Sequence, residues 1–174
     1  MMERIAAPNG PTKGEILRPS DQEKVEKVAF VQCAGSRDEA HLPFCSSVCC
    51  MASLKQSNYV REFNPDAEIH MFYIDLRAPG RQEDFLQKMQ QDEKLNLIKG
   101  KVAEIQEDSG SGDLTVVAED IYSGNKYRET VDLIVLATGM QPSLSDEKVP
   151  FNIQPDKNGF FPENNRSHEG IYSL

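Results

Sequence analysis

The chain has 174 residues and a formal net charge of −9, from 19 Lys and Arg against 28 Asp and Glu. With 39% apolar and 27% charged residues it reads as a folded, water-exposed domain with extensions, long enough to bury a sizeable core. The acidic balance speaks against nucleic-acid binding and against charge-driven docking on anionic lipid. No apolar run approaches the ~20 residues of a membrane-spanning helix. The N-terminus, MMERIAAPNGPTKG, lacks the apolar core of a signal peptide. A cytoplasmic chain is the expectation, and there cysteines serve metal or redox chemistry more often than structural disulfides. All four cysteines fall between Cys33 and Cys50.

In chain order, residues 1–25 are polar and punctuated by Pro8, Gly10, Pro11, Gly14 and Pro19, the pattern of a loop, linker or short edge hairpin. The apolar run 27–33 reads as a buried strand opening on a turn. From Cys45 to Phe63 there is neither Gly nor Pro, and apolar residues fall near helical spacing, so a helix is expected there, stopped at Asn64-Pro65. Residues 67–76 form the second strand, Ala78-Pro79-Gly80 a turn, and 82–94 a more exposed amphipathic helix. Three strands follow, the first running to 107, the second over 113–121 and the third closing at Gly139. The hairpin signals between them are 109–112 and Ser123-Gly124-Asn125. The order β-α-β-α and then a β-meander is that of an α/β layer with a small antiparallel insert. After 140 the chain is loop-rich, and its last residues, Gly170 to Leu174, look like a strand beginning. The expectation is a piece of a longer polypeptide.

The cysteine spacing is C-x11-C-x3-C-C. Four thiolates suit a [4Fe–4S] cluster, one per iron. On the expected helix Cys45 and Cys49 share a face, Cys50 lies about 100° further round, and Cys33 comes from the end of the first strand. A helix N-terminus favours thiolates, and Arg37, Lys55 and His41 are near enough in sequence to offset the charge of a cluster. Zinc, thiol redox chemistry and inert buried cysteines remain open alternatives, although zinc sites prefer paired C-x2-4-C knuckles.

A strand, a turn with Gly35 and then a helix is where a dinucleotide fingerprint belongs, but G-x-G-x-x-G is absent, which speaks against binding a nicotinamide cofactor. Asp75 at the end of the second strand is weak evidence for ribose binding without those glycines. The run Asp132 to Gly139 makes a buried strand whose small-residue tip, Ala137-Thr138-Gly139, admits a cofactor or another backbone. Arg77 and Arg81 flank the turn on the ligand-facing edge, where they are solvated or contact phosphate, a flavin region or a partner.

With Cys33-Ala-Gly-Ser-Arg-Asp38, Pro43-Phe-Cys-Ser-Ser-Val-Cys-Cys-Met51, Ser53-Leu-Lys55 and Tyr73-Ile-Asp-Leu-Arg-Ala-Pro-Gly80 in this order, the chain resembles the flavoprotein component of heterodisulfide reductase. Within that family it is most similar to the first of the two paralogous flavoproteins, with the second close behind, of the quinone-interacting membrane-bound oxidoreductase associated with adenylylsulfate reductase. The resemblance spans nearly the whole chain. It implies a Rossmann-like α/β fold of the thioredoxin-reductase NAD(P)H-domain type, with an antiparallel β-meander insert, in a two-dinucleotide-domain flavoprotein. It implies a [4Fe–4S] cluster on Cys33, Cys45, Cys49 and Cys50, with Ala137, Thr138 and Gly139 near FAD.

The resemblance divides the chain into a linker or edge hairpin from the adjoining FAD domain (1–25), the Rossmann-like domain with its cysteine loop (26–140), and a return segment toward the FAD domain (141–174). The FAD domain's own G-x-G-x-x-G is not in this chain, so the isolated piece is not expected to hold FAD and need not retain a cluster. The implied partners are other subunits of a redox complex, including one in the membrane, together with adenylylsulfate reductase. Contact with the inner membrane would then be peripheral, through those partners. The expected function is relay of electrons between FAD and partner subunits in anaerobic sulfur- or disulfide-linked respiration, with no bond-making catalysis by this chain. An NAD(P)H-dependent flavin disulfide reductase and a zinc-stapled interaction module are the alternatives.

Overall fold

The first apolar run sets the architecture. In strand β1 (Lys27–Val31), Val28, Ala29, Phe30 and Val31 are all buried, so both faces of the strand must be covered, as in a parallel sheet between layers. The computed structural model describes residues 1–143 and 155–161. After helix α1 (Met2–Ile5) and β1 come helix α2 (Cys49–Phe63), β2 (Glu68–Tyr73), helix α3 (Gln82–Met89), β3 (Leu95–Lys99), β4 (Val102–Glu107), β5 (Leu114–Glu119), β6 (Lys126–Val131) and β7 (Leu133–Leu136). One sheet has the order β3-β2-β1-β7 with every pair parallel, and β4-β5-β6 form a second, antiparallel sheet.

Side-chain alternation assigns the two faces of the parallel sheet. Val28, Phe30, Ile69 and Met71 pack with Leu54 and Val60 of α2 and Leu86 and Met89 of α3. On the opposite face Ala29, Phe72 and Ile98 pack with Val116, Ala118 and Val131 of the antiparallel sheet. The result is three layers: helices, parallel sheet, meander. Each fully buried Phe in this arrangement contributes about 1.5–3 kcal/mol of transfer free energy.

Several boundaries differ from the sequence reading, each for a local reason. The helix expected from Cys45 begins at Cys49. Ser47 has φ +56, a left-handed conformation that breaks helical phase, and its N–H points to Cys45 Sγ at 3.4 Å. The strand expected to run unbroken to 107 splits around Gly100, where a Cβ would overlap the Glu119 carbonyl, so β3 and β4 belong to different sheets. The strand expected to close at Gly139 splits at Asp132, whose Oδ2 accepts the N–H groups of Glu26 and Lys27, both at 2.8 Å. The second helix ends at Met89 rather than at 94, where turn hydrogen bonds from Gln91 and Asp92 take over.

Where a linker or edge hairpin is expected in 1–25, there is one antiparallel bridge, Leu17 to Lys24, and Met2, Ile5, Ile16 and Val25 are buried in the helix-side core. Residues Met1–Gly139 make up one compact unit and Met140–Leu174 another. Within the second, Asp156 Oδ1 accepts the N–H groups of Asn158 and Phe160 at 2.8 and 2.9 Å. The expected start of a strand at Gly170–Leu174 lies outside the described residues, as does most of the return segment. No helix among the described residues is long and apolar enough to cross a membrane.

A buried polar group joins the parallel sheet to the meander. His70 on β2 is 2% exposed, and its Nδ1 meets Tyr127 Oη at 2.9 Å. Glu68 Oε1 lies 3.0 Å from Nε2 without completing a hydrogen bond. Glu129 bonds Lys27 Nζ at 2.7 Å beside it. Burial outweighs the nearby carboxylates and holds the His70 pKa below its ordinary 6.5. The unfolded chain therefore takes up this proton first as the pH falls through 6.5, and folding stability drops from there toward the folded-state pKa. A melting-temperature series should decline below that pH in the native chain and decline less in His70→Gln. Identical slopes for the two proteins would refute this.

Candidate functional site

The order β3-β2-β1-β7 fixes where a ligand would lie. From β1 the chain winds to one side through β2 and β3 and then crosses to place β7 on the other. The carboxyl ends of β1 and β7 therefore flank the topological switch point, where open α/β sheets form their ligand crevice. Backbone hydrogen bonds hold the two ends together: Ala137 N–H to Val31 O at 2.9 Å, and Ala34 N–H to Ala137 O at 3.1 Å.

Residues 32–48 occupy the position of the dinucleotide-binding turn and are built around left-handed residues. Cys33 (φ +56), Gly35 (φ +100), Arg37 (φ +57) and Ser47 (φ +56) each reverse the chain locally. Hydrogen bonds from Leu42 N–H to Gly35 O, Asp38 N–H to Leu42 O and Arg37 N–H to Phe44 O close the loop on itself. Holding non-glycine residues in this conformation costs energy, and only a well-determined surrounding sustains it.

This loop brings the cysteines together at the switch point. Cys33 follows β1, Cys45 lies in the loop, and Cys49 and Cys50 open α2. All four are free thiols; Cys50 is buried and the other three are partly exposed. Cys50 Sγ donates to the Asp75 carbonyl at 3.5 Å. Burial raises the pKa of the Cys33 and Cys49 thiols above the ordinary value, and the neighbouring cysteines raise both further. The Arg37 guanidinium opposes this at Cys33, and a hydrogen bond with the Gly139 backbone opposes it at Cys49. Among the described residues, no three or more His, Cys, Asp or Glu side chains converge closely enough to hold a single metal ion.

The Ala137-Thr138-Gly139 tip of β7 packs directly on the loop. A Cβ at Gly139 (φ +94) would come within 2.9 Å of Ser46 Oγ and 3.2 Å of Ser36 Cβ and Leu42 Cδ1. Arg37 pairs with Asp75 at 2.7 Å, and Arg77 stands 4.0 Å from the same carboxylate. Asp75, the weak ribose candidate, is thus engaged by arginines. Arg77 also lines an open cleft of ≈ 330 Å³ with Ser47, Ala78 and Pro79, and Arg81 precedes α3 without a side-chain cap bond.

Of the cations expected near the cysteines only Arg37 acts on them. Lys55 pairs instead with Glu3 at 2.9 Å and lies 5.5 Å from the centre of the Tyr59 ring. His41 is exposed in the turn that its N–H forms with the Asp38 carbonyl. Gln32, which the sequence reading passed over, is buried beside Cys33; a polar residue closing an apolar strand was the available signal.

Comparison with known proteins agrees with this geometry. The chain is 39% identical over 166 residues to an iron-sulfur subunit of the CoB–CoM heterodisulfide reductase of Methanopyrus kandleri, covering 93% of this chain and 25% of that protein. It is 38% identical over 166 residues to the corresponding subunit of the H2:CoB–CoM heterodisulfide,ferredoxin reductase of Methanothermobacter thermautotrophicus, with the same coverage. This chain is a homologue of the heterodisulfide reductase flavoprotein. It spans about a quarter of the length of the relatives it matches. No family model matches the chain.

Among solved structures, Lactococcus lactis thioredoxin reductase superposes with a TM-score of 0.53 at 18% identity, covering 81% of this chain and 39% of that one. The heterodisulfide reductase homologue therefore has the expected thioredoxin-reductase-like, Rossmann-type fold, with a parallel sheet and an antiparallel one. In it the tight seat of Gly139 makes a direct test of the loop packing. Gly139→Ala should destabilise the fold by about 1–3 kcal/mol, through the left-handed backbone and the contact with Ser46. An unchanged urea midpoint would show that β7 does not seat against the loop as described.

Proposed function

We propose that this chain is the cluster-bearing, thioredoxin-reductase-like portion of an iron–sulfur flavoprotein, relaying electrons between FAD and the other proteins of its complex. The observation that carries the reading is the replacement of the dinucleotide-binding turn by the four-cysteine loop at the switch point. Two further facts support it: the iron-sulfur name of a heterodisulfide reductase relative and the thioredoxin-reductase-like fold.

The donor set fits a [4Fe–4S] cluster better than a single ion. One ion needs its ligands to converge on a point, whereas each thiolate of a cluster meets its own iron, so the four donors surround the group. Four free thiols near enough to influence one another's ionisation, yet not converging on one point, match the second demand. Cys33, Cys45, Cys49 and Cys50 would be the ligands. When bound, the cluster supplies one-electron redox chemistry.

The residues around it set the conditions for that chemistry. Arg37, oriented by Asp75, places positive charge beside Cys33 and Cys45 and favours their thiolate forms. The N-terminus of α2 adds its partial positive charge at Cys49 and Cys50. Burial of Cys50 and packing of Gly139 on the loop limit access of water. In the longer protein Ala137, Thr138 and Gly139 would lie beside the flavin, and Arg77 on the open cleft would contact it or its phosphates.

The partners are proposed to be other subunits of a redox complex, one of them in the membrane, together with adenylylsulfate reductase in sulfate-reducing metabolism. This chain would act on the cytoplasmic side and reach the inner membrane through those partners. Reconstitution with ferrous iron and sulfide without oxygen should give bound iron and the broad visible absorption of a [4Fe–4S] cluster. Cys45→Ser should lose most of both while its melting temperature stays near native, because Cys45 is a loop residue. Failure of the native chain to take up iron would overturn the reading, and tight, air-stable zinc would favour an interaction module instead.

A further inference from the structure

Gln32 carries an unmet demand inside the protein. It is 5% exposed, and both its Nε2 and Oε1 are buried without a hydrogen-bond partner. His70 Nε2 is the one other described side-chain atom in that condition, and it at least has a carboxylate oxygen at 3.0 Å. A buried carboxamide forgoes its hydrogen bonds to water, so leaving both ends unpaired is costly and calls for a partner. The backbone offers Gln32 no escape: its N–H donates to Phe72 O at 2.9 Å, which holds the residue in the sheet. The next residue is Cys33, whose left-handed conformation turns the chain into the cysteine loop. The unpaired amide therefore lies at the carboxyl end of β1, against the switch point, and an apolar residue there would have extended the apolar run of β1 at no such cost.

We infer that Gln32 is a hydrogen-bond donor to the group held by the four cysteines, its Nε2 donating to a thiolate or sulfide sulfur. This rests on the cluster reading above. The class of acceptor follows from the donor set, since electron-rich sulfur is what four thiolates assemble at that end of the strand. Reduction adds one electron and leaves the sulfurs more negative, so an N–H donor stabilises the reduced form more than the oxidised form and raises the potential. No proton moves in this step; the amide keeps both of its hydrogens.

The test compares the native chain with Gln32→Leu and Gln32→Glu after anaerobic reconstitution. Iron content, the reduction potential from a dithionite titration followed by EPR, and the melting temperature of the iron-free proteins are measured for each. All three proteins should load iron. Both variants should show potentials lower by about 59 mV or more, a tenfold shift in the reduction equilibrium of a one-electron couple. Iron-free Gln32→Leu should melt at or above the native temperature, because an unpaired amide has been replaced by an apolar side chain.

Full iron loading with native potentials in both variants would overturn the inference and leave an ordered water as the partner of Gln32. A large loss of iron-free stability in Gln32→Leu would overturn it too, by revealing a partner within the protein. Absence of iron from the native chain would overturn the cluster reading and this inference with it, a result the iron assay separates from the other two.

Discussion

Strand β1 has hydrogen-bonded neighbours on both edges, β2 on one side and β7 on the other, and is apolar on both faces. With both edges paired and both faces covered, the chain that leaves its carboxyl end has one exit, the crevice at the switch point. The loop 32–48 is folded into that exit, tied to β7 through the Ala34 N–H bond to the Ala137 carbonyl. The positions of all four cysteines follow from this. Cys33 is where β1 stops, Cys49 and Cys50 are where α2 starts, and Cys45 is on the loop between.

A dinucleotide-binding turn uses glycine so that a pyrophosphate can approach the backbone. Here left-handed geometry falls instead on Cys33, Arg37 and Ser47, whose side chains stay available, with only Gly35 retained from that chemistry. The same scaffold therefore presents thiols where it would otherwise present N–H groups to phosphate. Charge is arranged accordingly. In a chain of net −9, Arg37 and Arg77 are gathered on Asp75 at the cysteine edge, while Lys55, further along α2, is paired with Glu3.

The layer order was legible because period-two and near-helical apolar spacing survive in the strands and in α2. The breaks inside long β runs were not. Gly100 and Asp132 each sit within sequences that read as continuous strand, and what separates the strands is contact with distant backbone: the Glu119 carbonyl in one case, the Glu26 and Lys27 N–H groups in the other. The polar, proline-rich start hid Met2, Ile5, Ile16 and Val25, whose burial depends on the core they meet rather than on their neighbours in sequence. Cys45 was placed on a helix because nothing in Cys-Ser-Ser-Val-Cys forbids one; the left-handed Ser47 is imposed by loop closure.

The sequence by itself determined the α/β class, the clustering of four cysteines at a strand–loop–helix junction, the missing dinucleotide glycines and, through its motifs, the kinship with the heterodisulfide reductase flavoprotein. These are properties of composition, spacing and periodicity, which short-range chemistry dictates. Tertiary structure alone decided that Gly139 closes over the cysteine loop, that Arg37 rather than Lys55 serves the thiols, and that the Gln32 amide is buried without a partner. Each of these depends on which distant segments share a crevice, and that was settled only when β7 paired with β1.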